Sequence, residues 1–189
     1  MRLQEILSTS AVVFAKKGFH NASVRDISRQ TGVSLSGLYY YFQTKEELLF
    51  LIIQNAFDTA LQACRASIDT HTGPEKLRFF VRNHLKTFIE NWAVAKVVVY
   101  EPEFLTGAYR ETIHQKQRDY YELLVDILDE LKPAARQGSG PDPKLGALAL
   151  FGMMNWIFTW YHPEKERSVE EVADTMSDIF LHGYLGSVL

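Results

Sequence analysis

The chain has 189 residues, of which 47% are hydrophobic and 23% are charged, and its formal net charge is -3. Because Pro and Gly are scarce and the length is enough to bury a substantial core, a disordered or collagen-like chain is excluded. Cys64 is the only cysteine, so an intrachain disulfide and a thiolate metal cluster are excluded, and a reducing, cytoplasmic location is expected. No signal-peptide pattern opens the sequence. The longest uncharged run, Leu145 to Tyr161, contains Asn155 and Thr159, which favours a buried helix and no membrane contact.

The charge is divided unevenly along the chain. Residues 1–50 hold six basic and four acidic residues, a net charge of +2, so the remainder carries -5. This difference in sign is expected of a protein in which only the amino-terminal part meets phosphate.

The spacing of apolar residues is helical throughout, and no alternating run bounded by turns predicts a strand. We therefore expect an all-α fold of about nine helices. The first helix should stop at Lys17, since Gly18 follows it. Ser23 and Asp26 have the spacing of a capping box, which predicts a second helix from Val24.

The next two helices have clear amino-terminal caps. Ser34 should cap a short third helix that reaches about Tyr41. Thr44 with Glu47 repeats the capping signature and predicts a long fourth helix to about Thr70. Later helices are predicted at about 75–92, 93–100, 109–132, 143–162 and 168–185.

The second and third helices form a helix-turn-helix pattern. Gly32 supplies the left-handed backbone that a tight turn between them needs. Ile27, Val33 and Leu38 are spaced to hold the two helices together. The amino-terminal end of the third helix is then free to enter a major groove.

Four segments closely resemble the amino-terminal domain of TetR-family regulators, and together they cover most of residues 2–50. They are Phe14-Ala-x-Lys-Gly-Phe19, Ser23-Val-Arg-Asp-Ile27, Gly32-Val-Ser34 and Leu38-Tyr-Tyr-Tyr-Phe-x-x-Lys-Glu-Glu-Leu48. The resemblance implies a homodimer whose reading helices face adjacent major grooves of a palindromic operator. It also implies a helix-turn-helix DNA-binding domain at 1–46 and an effector-binding and dimerisation domain at 47–189.

The resemblance implies ten residues that face DNA. Flanking phosphates should be contacted by Ser23 and Arg25. Base edges or phosphates should be contacted by Ser34, Leu35, Ser36 and Gly37. The DNA backbone should be the main contact of Tyr39, Tyr40, Tyr41 and Lys45. Since Leu35 offers only apolar contact, for example to a thymine methyl, readout should depend on DNA shape as well. The competing interpretation makes the tyrosines core aromatics and Lys45 a surface charge. Three consecutive tyrosines on one short helix cannot share one buried face, however.

The region after residue 75 is rich in large aromatic groups with polar ends. They could be ordinary core, but such residues also suit an apolar cavity with a few anchoring hydroxyls. The candidate pocket residues are Phe79, Phe88, Trp92, Tyr100, Phe104, Tyr109, Tyr120, Tyr121, Met153, Asn155 and Trp156. The stretch from Gly152 to Pro163 is similar to the branch of the family that controls fatty-acid or steroid degradation, which implies an acyl-CoA effector. Another hydrophobic effector, a drug or aromatic molecule controlling an efflux or catabolic operon, stays open.

The last two predicted helices carry more apolar surface than the outside of a monomer needs. In the family such helices pair with their copies as a four-helix bundle. The candidate dimer residues are Phe151, Trp160, Met176, Phe180 and Tyr184. Some of them are expected in the intramolecular core.

An enzyme and a helical lipid-binding protein are the two alternative functional classes. The six histidines show no metal-binding or catalytic pairing, no Gly-x-Ser-x-Gly motif occurs, and Cys64 has no nearby histidine, so we expect no enzyme, no metal and no cofactor. A helical lipid-binding protein without DNA function is the second alternative. The helix-turn-helix pattern argues against it, and the sequence is interpreted as a ligand-responsive repressor that its effector releases from DNA.

Overall fold

The computed structural model describes residues 2–68, 70–131, 141–162 and 167–185, without the side chains of Ser67, Tyr184 and Leu185. These ranges contain nine α-helices. No strand occurs in these ranges, which confirms the predicted all-α fold. The helices are α1 (Arg2–Lys17), α2 (Val24–Thr31), α3 (Leu35–Leu38), α4 (Lys45–Ile68), α5 (Pro74–Glu90), α6 (Trp92–Tyr100), α7 (Gly107–Glu130), α8 (Pro143–Asn155) and α9 (Val169–Leu185).

Two predicted helices are too long. Helix α3 ends at Leu38 and not near Tyr41, because the Tyr41 amide donates to the Leu38 carbonyl at 2.9 Å in a turn three residues long. Helix α8 ends at Asn155, and a 3₁₀ segment, Trp156–Thr159, takes its place. The capping box and the glycine at the end of α2 are as predicted.

The first compact unit consists of Met1–Thr59 and Glu90–Gln117. Helix α1 packs against α2 and α6 in this unit, and α2 packs against α3. Its core is apolar and includes Phe14, Ile27, Leu38, Phe42, Leu49 and Val97, all at most 1% exposed. The helix-turn-helix is thus folded together with α6.

The second compact unit consists of Ala60–Ile89 and Arg118–Leu189. Its core includes Leu77, Phe80, Leu85, Leu124, Leu150, Met154 and Ala173, all with no measurable exposure. The predicted boundary between residues 46 and 47 lies in the first turn of α4, and the compact units divide the chain elsewhere. Packing groups α6 with the helix-turn-helix, which a division by sequence position does not anticipate.

Candidate nucleic-acid interface and effector region

Helix α2 begins with a capping box. The Ser23 hydroxyl accepts from the Asp26 amide at 3.2 Å, and the Asp26 carboxylate accepts from the Ser23 amide at 3.0 Å. Lys17 at 2.8 Å and Arg29 at 2.5 Å also contact this carboxylate. The pKa of Asp26 lies far below its usual range because Lys17, and to a smaller extent Ser23, donate hydrogen bonds to its carboxylate. Because two cations surround one carboxylate and Arg25 is exposed nearby, the start of α2 is a positive surface that suits phosphate.

Two glycines shape the helix-turn-helix, one in the turn after α2 and one inside α3. Gly32 has φ +66°, in the left-handed region that glycine adopts without strain. At Gly37 an added Cβ would lie 2.9 Å from Val33 Cγ1. The Ser34 hydroxyl accepts from the Gly37 amide at 3.1 Å and lies 3.1 Å from the Ser36 hydroxyl. These contacts fix the start of α3, where the predicted base-facing residues lie.

Seven of the ten predicted DNA-facing residues are exposed, and the other three, Gly37, Tyr41 and Lys45, are half-buried. Leu35 is 38% exposed, Tyr39 44% and Tyr40 83%, whereas Leu38 and Phe42 are buried. Tyr39 and Tyr40 are therefore not core aromatics. Their exposed hydroxyls and the apolar Leu35 side chain form a reading surface, the name we use for the exposed side chains of residues 34–40.

The Lys45 side chain bonds to the backbone of the turn between α1 and α2. Its ammonium donates to the carbonyls of Phe19 at 2.7 Å, His20 at 3.2 Å and Ala22 at 2.9 Å, and it lies 4.5 Å from the centre of the Phe19 ring. An ammonium has three protons, and these bonds use all three. Lys45 therefore holds the α1–α2 turn, and its contact with the DNA backbone stays a prediction.

Residues 96–106 hold the same turn and the start of α4. The Glu101 carboxylate accepts from the Phe19 amide at 3.2 Å, and Lys96 donates to the Ala15 carbonyl at 3.0 Å. Phe104 stacks on Phe19, with ring centres 5.6 Å apart. We call these contacts, together with the hydrogen bonds from Thr106 to the Glu46 carboxylate at 2.7 and 2.8 Å, the 96–106 clamp.

The predicted pocket residues fall into separate places. Trp92, Tyr100, Phe104 and Tyr109 belong to the first unit, and the other seven belong to the second. Phe104 packs on Phe19 in the clamp, and Tyr109 stacks on Phe50 at 4.5 Å. The structure therefore does not bring the predicted set together within either unit.

Three polar side chains meet in the aromatic interior of the second unit. His84 Nδ1 lies 3.2 Å from the Tyr120 hydroxyl, and both residues are buried. Burial lowers the pKa of His84 to about 4, and a nearby Asn155 amide opposes this shift. We call His84, Tyr120 and Asn155 the polar cluster. Sequence reasoning selected Tyr120 and Asn155 but missed His84, which lies on an otherwise ordinary amphipathic helix.

An apolar groove of about 810 Å³ runs along the outside of α8, the 3₁₀ segment and α9. Its lining residues are Gly152, Met153, Trp156, Trp160, Arg167, Val172, Thr175, Met176 and Ile179. Trp156 is 65% exposed and Ile179 61%. The groove joins Met153 and Trp156, expected in the pocket, with Trp160 and Met176, expected at the dimer interface.

The remaining predicted dimer residues lie elsewhere. Phe180 is buried, and Phe151 packs on Phe80 with ring centres 6.0 Å apart. Both belong to the intramolecular core. The Tyr184 side chain is outside the described residues.

The described residues include neither a candidate metal site nor a candidate membrane span. They contain no group of three or more His, Cys, Asp or Glu side chains arranged to hold a metal ion. Among the helices they form, none has the length and apolar character required to cross a bilayer.

Family models match both parts of the chain. Residues 6–52 match "Bacterial regulatory proteins, tetR family", and residues 70–184 match "Tetracyclin repressor-like, C-terminal domain". The chain belongs to the TetR family. The resemblance inferred from the helix-turn-helix segments is thereby confirmed, and it extends through the carboxyl-terminal region.

Curated TetR-family relatives match over nearly the full length. The Fatty acid metabolism regulator protein of Bacillus subtilis is 22% identical, with 96% of this chain and 95% of the relative covered. The HTH-type transcriptional repressor KstR2 of Mycolicibacterium smegmatis is 28% identical, with 96% and 90% covered. Both names describe regulators, one of fatty-acid metabolism.

Solved TetR-family structures share the architecture. AibR, in complex with isovaleryl coenzyme A and operator DNA, has a TM-score of 0.82 and 27% identity, with 95% of this chain and 97% of AibR covered. A TetR-family regulator from Bordetella parapertussis has a TM-score of 0.86 and 27% identity, with 99% and 97% covered.

Proposed function

We propose that this protein is a transcriptional repressor that binds a palindromic operator as a homodimer and is released by a small hydrophobic effector of the acyl-CoA class. The observation that carries the proposal is the reading surface. Its capped helix start, exposed tyrosine hydroxyls and exposed Leu35 are the groups that dock on a major groove and its phosphates. Family membership and the names of KstR2 and AibR support it.

The first experiment is selection of genomic fragments by the purified protein, followed by footprinting. We expect a protected palindrome, because one short reading helix supplies too little interface for tight specific binding and two-fold symmetry doubles it. Sedimentation of the protein with a labelled fragment should give two chains per site. Monomeric protein at DNA-binding concentrations, or binding without sequence preference, would contradict the proposal.

The α8–α9 groove is the proposed dimer surface. Trp156 and Ile179 are too exposed and too apolar for the outside of a monomer, and a second copy of the same face would cover them. We expect Ile179→Glu to give monomers and to weaken operator binding. The matched control is Leu3→Glu, at a residue of α1 that is 37% exposed, and it should leave the dimer intact. Dimers of unchanged affinity from Ile179→Glu would exclude this surface.

The effector is proposed to act through α5 and α6. Helix α5 carries His84 and is followed directly by α6, whose end holds the α1–α2 turn through the 96–106 clamp. A shift of α6 would therefore move the turn that positions the reading surface. A second proposed route is displacement of α4, whose first turn carries Lys45.

Calorimetric titration of octanoyl-CoA with and without operator tests the effector class. If release is the mechanism, operator must lower the affinity for the thioester by the factor by which the thioester lowers the affinity for operator. Glu101→Gln should reduce that factor while leaving thioester binding to the free protein unchanged. Equal thioester affinity for free and operator-bound protein would overturn the effector assignment without touching DNA binding.

A further inference from the structure

The 3₁₀ segment that follows α8 is held by two side chains of α5. Asn155, the last residue of α8, hydrogen-bonds with the ring of His84. Phe158 packs on Phe88 with ring centres 5.4 Å apart, and the Phe88 ring lies 4.1 Å from the His84 ring. Because residues 84 and 88 are one helical turn apart on the same face of α5, they hold the segment at two points.

The bond between His84 and Asn155 joins two buried atoms. His84 Nε2 and Asn155 Oδ1 have no other hydrogen-bond partner among the described residues, and His84 is only 4% exposed. An amide oxygen can only accept, so Nε2 carries the proton of the neutral ring and Nδ1 is left as an acceptor. Separating the two side chains would leave both atoms buried and unpaired, which is unfavourable.

Two further side chains extend this bond into a chain of donors. The Tyr120 hydroxyl donates to His84 Nδ1 at 3.2 Å. The Cys64 thiol hydrogen-bonds with Tyr120 and accepts from the Asn83 amide at 3.4 Å. Burial raises the pKa of Cys64 to about 11, so the thiol keeps a proton that it can donate to the Tyr120 oxygen. The chain joins α4, α7, α5 and α8 through Cys64, Tyr120, His84 and Asn155 in that order.

The other side of the 3₁₀ segment lines the α8–α9 groove. Trp156 directly follows Asn155 and is 65% exposed, Trp160 is 38% exposed, and Ile157 between them is buried. The Thr159 hydroxyl donates to the Trp156 carbonyl at 2.8 Å and closes the short turn. Because Asn155 and Trp156 are adjacent, a rotation that took Asn155 away from His84 would also turn Trp156 away from its place in the groove.

We infer that the hydrogen-bonded chain from Cys64 to Asn155 positions the 3₁₀ segment and thereby shapes the surface on which two copies of the protein pair. Its members are positioning residues, since none of them lines the groove. The inference rests on the proposed function, because it takes the α8–α9 groove as the dimer surface. The competing explanation is that aromatic packing alone holds the segment, in which case the hydrogen bonds are dispensable.

The first test breaks the chain at its centre. Tyr120→Phe keeps the ring and removes only the hydroxyl, so it should raise the Kd of the dimer about tenfold, the scale of one hydrogen bond. Sedimentation equilibrium of the full-length protein measures it. The matched control is Tyr121→Phe, which removes a hydroxyl bonded to the Lys144 carbonyl at 3.1 Å and should change the Kd less than about twofold. Adding Asn155→Leu to Tyr120→Phe should cause little further loss, because both break the same chain.

The second test asks whether Cys64 acts as a donor. Cys64→Ala removes the link between Asn83 and Tyr120 and should weaken the dimer as Tyr120→Phe does. Cys64→Ser supplies a hydroxyl that also accepts and donates, so it should restore most of the wild-type affinity. Equal losses in the two variants would overturn the place of Cys64 in the chain.

The third test does not need a dimer. In an Ile179→Glu chain that also carries Trp92→Phe and Trp160→Phe, Trp156 is the only one of three tryptophans left. Its time-resolved fluorescence anisotropy should decay slowly, with the rotation of the whole protein. Tyr120→Phe should add a fast component, which a residue that merely stabilises the core would not do. In protein labelled with ¹⁵N-histidine, His84 should carry its proton on Nε2, and a proton on Nδ1 would overturn the donor order.

The outcomes separate the inference from the proposed function. Unchanged dimer affinity and unchanged Trp156 anisotropy in Tyr120→Phe, or equal losses in Tyr120→Phe and Tyr121→Phe, overturn the inference and leave the repressor proposal standing. A dimeric Ile179→Glu chain would exclude the α8–α9 groove as the dimer surface, and with it the effect on pairing. The anisotropy of Trp156 would still decide whether the chain positions the segment.

Discussion

The reading surface and the polar cluster are built in opposite ways. Residues 34–40 are contiguous in the sequence, and their side chains stand on the outside of one short helix and the turn after it. The polar cluster takes one residue each from α5, α7 and α8 and is enclosed by aromatic rings. A surface made from one segment can be identified from local spacing, whereas an interior site exists only after distant helices have packed.

The first prediction concerns the buried site and has the largest expected effect. His84 has a folded pKa of about 4 against an ordinary 6.5, so between these values the unfolded chain binds a proton that the folded chain does not. The free energy of unfolding is therefore highest above the ordinary pKa. It should fall by about 3 kcal/mol as the pH is lowered from the ordinary pKa to the folded pKa. Urea unfolding at a series of pH values measures it. His84→Phe should flatten the profile, and His114→Phe, at an exposed histidine, should not.

The second prediction concerns the reading surface. Leu35→Glu places a carboxylate on the surface proposed to bind DNA, and it should weaken operator binding by about thirtyfold with unchanged Tm. Leu145→Glu is the matched control, because Leu145 is 65% exposed on α8. Fluorescence anisotropy with labelled operator gives both values. Similar losses from the two variants would mean that general negative charge, and not the reading surface, decides affinity.

The third prediction separates positioning from phosphate contact. Lys45→Met leaves the Phe19, His20 and Ala22 carbonyls without their shared donor, so it should lower stability by about 1–2 kcal/mol and leave the salt dependence of operator binding unchanged. Arg25→Gln should leave stability unchanged and reduce the salt dependence of operator binding by about one charge unit. A reduced slope for Lys45→Met would restore the phosphate contact that the sequence predicted.

The smallest predicted effect is at the start of the reading helix. Ser34→Ala removes the hydroxyl that accepts from the Gly37 amide, and it should cost about 1 kcal/mol of stability. Thermal unfolding measures this cost. The control is Gln30→Ala, at an exposed residue of α2 that does not cap a helix. Equal costs would show that the cap does not control the helix start.

The same contrast explains what could be predicted from the sequence. The capping and turn roles of Ser23, Asp26, Gly32 and Ser34 can be predicted from the sequence, because helix caps and turns depend on residues a few positions apart. Leu35 and Tyr40 followed from resemblance to a family. The internal bonds of Lys45 were not foreseen because its carbonyl partners are more than twenty residues away, and His84 was missed because only burial distinguishes it from a surface histidine. Trp156 was placed in a pocket because hydrophobicity does not distinguish an inner face from an exposed groove.

The brevity of helix α3 has a consequence for temperature. Four residues form too few internal hydrogen bonds to hold a helix, so α3 exists only while Leu38 and Phe42 are buried in the core of its unit. A core substitution far from DNA, such as Phe14→Ala, would therefore remove the reading helix at the temperature at which the unit melts. Strains with such alleles should repress their target genes in the cold and express them when warmed, although every side chain of the reading surface is unaltered.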